Sequence, residues 1–160
     1  MFVYSVKANK KTLIGAAIIV VAFIIIAFLI SGRTSTVNAV LDADVKLESN
    51  AERVAFLKKF GYDVINEPRE TKEIIIPEDF NSTYTQYNEL QKKQGFDLSK
   101  YKGKVAKSYS YAVKNYPGIE DSEQIIRANM IICGGRLIAG DICSVERNGF
   151  MHTFNKSDKI

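Results

Sequence analysis

Two cysteines, one histidine and a run of lysines are the residues of this chain on which chemistry could be built. The histidine, His152, lies in GFMHTF near the C-terminus, several residues past the last strand pattern. General-base work would need it on a rigid element with an orienting carboxylate, so it reads as a surface or edge side chain. A metal site needs clustered ligands, and one histidine with two separated cysteines makes none. Carboxylates are plentiful but scattered, and no pair of them stands out. The expectation is a non-enzymatic chain with no catalytic residue, no cofactor and no metal.

The cysteines sit in IRANMIICGGRLIAGDICSV, residues 126–145, where two β-rich runs flank Gly134-Gly135, a two-residue hairpin signal. A simple register sets Cys133 against Arg136 and Cys143 against Ile126, with the two sulfurs on opposite faces. At ~3.3 Å per residue they stand roughly 20 Å apart, far beyond the ~7 Å between Cα atoms that a disulfide tolerates. They read as small buried apolar residues. A disulfide to a partner and a thiol activity at Cys133 or Cys143 stay open as alternatives.

The lysines are unevenly placed. Lys92, Lys93, Lys100, Lys102, Lys104, Lys107 and Lys114 share their stretch with one acid, Asp97, a net of +6, while residues 32–91 hold seven basic and eleven acidic residues, a net of −4. Segregation of this kind can make one side of a domain positive. Lys100, Lys102, Lys104 and Lys107, interleaved with Tyr101, Tyr109 and Tyr111, are the candidate patch for an anionic surface such as lipid head groups or a wall polymer. The plainer use of such lysines is to keep an edge strand from pairing.

These residues need elements to hold them. Residues 13–30, LIGAAIIVVAFIIIAFLI, carry no charge and no polar side chain. A bilayer core of roughly 30 Å needs about twenty residues of helix, so 12–31 reads as one transmembrane helix. Lys7, Lys10 and Lys11 precede it and Arg33 follows, which puts the short lead 1–11 in the cytoplasm and the rest outside. A secretory signal cleaved after Ala39 is the rival reading. Of the net charge of +4, the three leading lysines supply +3. The remainder is therefore not a basic domain, and being outside the cell it has no nucleic-acid partner.

After a juxtamembrane linker, 32–47, the pattern is α+β. Ser49 and Glu52 form a capping-box pattern ahead of a helix over 50–60, with Ala51, Val54, Leu57 and Phe60 on its inner face and Gly61 closing it. Residues 62–65 and 73–76 read as short strands. Pro77 suits the first turn of a second helix running to Gln94, with Phe80, Tyr84, Tyr87 and Leu90 or Gln91 inward. Alternation over 105–113 marks a strand, followed by an acidic loop at 120–123 and the Gly-Gly hairpin. The spacing predicts two helices packed on one face of an antiparallel sheet of three to five strands. The domain runs over 48–153, with 154–160 a disordered tail.

The segments AERVAFLKKFGYDV, IPEDF, YNELQKKQGFDLSKYKGK and IICGGRLIAGDICSVERNGFMH resemble a Firmicutes family of unknown function, the domain-of-unknown-function family numbered 4830. The resemblance covers residues 50–152. It implies a short envelope protein with an N-terminal membrane helix, and it carries no activity or cofactor to transfer.

The sum of these readings is a membrane-anchored extracytoplasmic binding module that meets another envelope protein or an anionic polymer. The alternative is a structural, homodimerising role. Ile126, Met130 and Ile132 fall on one face of the hairpin and Ile131, Ile138 and Ile142 on the other, and a sheet apolar on both sides needs cover on both.

Overall fold

The computed structural model describes residues 45–155, which lie within one compact unit, Asn38–Ile160. The apolar run 13–30, the leading lysines and the Ala39 position fall outside the described residues. Among the described residues no helix is long and apolar enough to cross a membrane.

Helix α1, Asn50–Lys59, starts where the capping box expects it. Glu52 N donates to Ser49 Oγ (3.2 Å) and Ser49 N to Glu52 Oε2 (2.8 Å), satisfying two of the amides a helix start leaves orphaned. Gly61, at φ 79°, ends it. Its buried face is Arg53, Val54, Phe56 and Leu57, so the apolar stripe is offset from the expected one and Ala51 is exposed.

The sheet is an antiparallel meander of β1 (Glu70–Ile75), β2 (Val105–Ala112), β3 (Ile126–Cys133), β4 (Arg136–Ser144) and β5 (Met151–His152), in that spatial order. Residues 62–65 do not form a strand of their own. Only Val64 bridges, to Val113, on the edge of β2 that β1 occupies over Val105–Ser110. The second strand is longer than 73–76 and begins at Glu70.

The second helix, α2, spans Ser82–Lys92 and not 77–94. Ile76 is still tied to the sheet, its N donating to Lys104 O (3.0 Å) and its O accepting from Gly103 N (2.8 Å), so Pro77 cannot open a helix. Asn81 caps instead, its Oδ1 accepting from Tyr84 N (2.8 Å). The acidic loop contains a short helix α3, Ser122–Ile125, and Leu98–Tyr101 form a 3-10 turn.

The expectation that both helices share a face is corrected. Val54, Phe56 and Leu57 of α1 join Tyr111, Ala128, Met130, Ile132 and Ile142 in one core. Tyr84 and Tyr87 of α2 pack with Ile76, Ala106, Ile131, Ile138 and Ala139 in a second core on the other face. The hairpin is apolar on both sides, so each side takes a helix. Each side of the hairpin is thus covered in part by a helix of the chain itself.

A bulge sorts the hairpin. Gly134 and Gly135, both at positive φ, make the expected tight turn and keep Cys133 opposite Arg136. The register then slips between Ile131 and Ile132, with Ile138 as the extra residue. Cys143 therefore pairs with Arg127 and not Ile126, Ile142 moves to the α1 face, and both cysteines share the α2 face. They remain about six pairs apart, roughly 20 Å at ~3.3 Å per residue, and both are free thiols.

Candidate functional site

At the α2 face near the end of the sheet, a groove of about 400 Å³ is lined by Thr83, Tyr84, Gln86, Tyr87, Leu90 and Met151. Helical spacing brings Thr83, Tyr87 and Leu90 to one side of α2. Met151, 42% exposed, is placed across from them by the two-residue strand β5, which pairs it with Cys143. The lining holds no charged side chain, and two tyrosines, a leucine and a methionine make it a seat for an apolar or aromatic group.

Below the groove lies a buried polar floor. Tyr87 Oη donates to Asp141 Oδ1 (2.9 Å), and Asn129 Nδ2 donates to Asp141 Oδ2 (2.9 Å) and to Cys143 Sγ (3.3 Å). Asn129 and Asp141 are direct cross-strand partners, so the β3–β4 register builds the contact. Asp141 is only 2% exposed, and no described cation pairs with it. Burial raises its carboxyl above the usual range, against the pull of its hydrogen bonds from Asn129 and Tyr87. Burial, with the adjacent Asp141 charge, also raises the Tyr87 phenol. The same two causes push the Cys143 thiol up to about 11. A thiol held protonated beside a carboxylate is the reverse of an activated nucleophile. The floor fixes the Tyr87 ring as a wall of the groove.

The far side of α2 is pinned by two more buried amides. Gly140 N donates to Gln91 Oε1 (2.9 Å), Gln94 Nε2 to Gly140 O (2.6 Å), and Phe154 N to Gln94 Oε1 (3.1 Å). Gln91 Nε2 is buried without a partner among the described residues. Phe154, assigned to the tail from sequence, is fully buried against Phe56 and Phe60.

From sequence alone His152 is set past the last strand, at the surface or an edge; the structure puts it within the edge strand β5 and off the surface. It is fully buried, stacked on Phe150 (5.5 Å between centroids), with Nε2 2.9 Å from the Tyr116 hydroxyl and Nδ1 2.6 Å from Thr153 O. It is remote from the Asp141 floor, since its side chain sits on the α1 side of β5, opposite Ile142.

The candidate lysines are only partly gathered. Lys100, Lys102 and Lys104 cluster on the 3-10 turn and the loop into β2, with Lys102 Nζ 5.1 Å over the Phe80 ring. Glu78 lies against Gly103 in the middle of that loop. Lys107 stands apart on the α1 face, directly across from Glu73. Asp97, the lone acid of the stretch, caps the 3-10 turn through Ser99 N (3.0 Å). Of the tyrosines among them, Tyr111 is fully buried and Tyr109 carries the Arg53 guanidinium 3.9 Å over its ring.

Sequence reasoning missed Asp141, Asn129 and Gln94, and had Gln91 on the inner face of α2 only as an alternative to Leu90, where both are buried. Asp141 did leave a signal, as the one acid inside the apolar run 137–145. A charge in mid-strand asks for a buried donor, and Asn129 is its register partner.

A helix on each face of an antiparallel five-stranded sheet defines a small α+β domain, with an apolar groove beside α2. Over residues 56–142, more than half its length, the chain matches the family described as Domain of unknown function (DUF4830), and it belongs to that family. No curated protein and no solved structure matches it.

Proposed function

We propose that this chain is a single-pass membrane-anchored module whose domain stands outside the cell membrane and binds an envelope protein through the groove beside α2. The observation that carries the reading is the groove itself: two tyrosines, a leucine and a methionine around about 400 Å³, with one tyrosine locked from below by a buried carboxylate. Preformed apolar hollows with rigid aromatic walls are the usual seats for partner side chains. The run 13–30 and its leading lysines support the anchor and its orientation. The raised Cys143 thiol favours binding over thiol chemistry.

The test places a photo-crosslinking residue at Gln86 of the full-length chain in its own membranes. One discrete protein adduct is expected, lost when Met151→Glu puts a charge into the groove. An adduct unchanged by that substitution, or formed equally from the exposed position Lys58 on α1, removes the groove from the reading. Protease added outside spheroplasts should digest the domain, and a protected domain overturns the topology.

A further inference from the structure

The two edges of the sheet are finished in different ways. The outer edge of β4 is closed along its length. At the hairpin end Leu137 N donates to Val45 O (2.9 Å) and Leu47 N to Gly135 O (2.8 Å). In the middle the side-chain amides of Gln91 and Gln94 stand in for a strand at Gly140. At the far end β5 takes Ile142 and Cys143.

The edge of β1 has no such cover among the described residues. Val113 N donates to Ile126 O (3.1 Å), so the odd-numbered residues of β2 bond to β3 and the even-numbered ones to β1. On β1 the even-numbered residues therefore face β2. The N–H and C=O groups of Thr71, Glu73 and Ile75 point outward, an open template for another strand.

A second copy fits that template badly. Antiparallel pairing sets outward residues opposite one another, and the full-length register puts Glu73 against its own copy. Like charges directly opposite are unfavourable. Sliding one way sets Lys72 against Lys72, and sliding the other sets Glu73 against Ile75.

We propose that the β1 edge is a strand-addition site for an extended segment of another protein, with a lysine or arginine opposite Glu73 and an apolar residue opposite Ile75. Glu73 is exposed, makes no ion pair among the described residues, though Lys107 stands across from it on β2, and shares with Glu48 the lining of a hollow of about 370 Å³ on the same sheet face. Ile75 is 67% and its cross-strand neighbour Val105 54% exposed, an apolar step that an added strand would extend. In strand addition the backbone bonds supply affinity, and the alternate side chains supply choice of partner. The site is separate from the groove beside α2, so either can fail without the other.

The test follows amide exchange and NMR shifts of the labelled full-length chain with the capped peptide SVIKETV and with its control SVIEETV. The expected result is protection of the Thr71, Glu73 and Ile75 amides, at least about fivefold weaker with the control, as an opposite-to-like charge swap across a strand pair implies. Glu73→Lys, a change at an exposed site, should reverse the preference. Equal protection by both peptides, or by neither, overturns the proposal. Protection of the same amides without peptide overturns it too, because a second copy or the chain's own residues then fill the edge.

Discussion

Asp141 shows how one residue couples the groove to the stability of the fold. Its carboxyl is raised by burial, so from its ordinary value of 3.8 upward to the folded value the native state keeps a proton that the unfolded chain has lost. Stability is therefore greatest below that window and falls as pH rises through it. Asp141→Asn should remove this slope in urea titrations, because an amide can still accept from Tyr87 while Asn129 turns its own amide to match. Asp141→Ala should instead cost about 2–3 kcal/mol below that window and less above it, since it takes the acceptor from the Tyr87 hydroxyl and leaves the Asn129 amide only Cys143 Sγ. Equal pH profiles for Asp141→Asn and the native chain would show that the carboxylate is already charged in the fold.

At the scale of elements, the decisive contact is between β4 and the segment after β5. A Cβ at Gly140 would collide with the Phe154 ring and with Asn129 O at 2.7 Å. The second of these is backbone within the β3–β4 ladder and cannot turn aside. Gly140→Ala should lower the unfolding free energy by about 3 kcal/mol in denaturant titration, the upper part of the range for overpacking a tight core. If Ala is tolerated there, the packing of Phe154 is looser than its full burial implies. The same strand explains why α2 begins late: it must first cross from Ile76 at the sheet edge to the face where Tyr87 meets Asp141.

For the whole molecule, folding mixes charges that the chain keeps apart. The acid-rich half, residues 32–91, supplies β1 and the loop after it, and antiparallel pairing brings Glu73 opposite Lys107 and Glu78 against the loop holding Lys102 and Lys104. A field that looks strongly positive along the sequence is diluted in space, and what remains is screened within ~8 Å at physiological salt. Changing Lys100, Lys102, Lys104 and Lys107 together to Gln should alter co-sedimentation with wall sacculi or anionic liposomes by less than about twofold at that salt. A steep, salt-sensitive loss in this variant would make the lysine segment the binding surface.

The features legible in the sequence are local ones. The capping box at Ser49 and Glu52, the turn at Gly134-Gly135 and the alternation of β2 each depend on residues within a few positions of one another, so their physics is complete in a short window. The family resemblance was legible for the same reason, since it lies in contiguous words. Which face each element covers depends on contacts between residues far apart in the chain. One extra residue, Ile138, reverses the alternation of β4, and a slip of one residue moves every side chain beyond it to the other side of the sheet. That slip puts Asp141 beneath Tyr87 and both cysteines on the α2 face. The burial of His152 was not legible in its own segment, because Tyr116, whose hydroxyl meets its ring, lies 36 residues away along the chain.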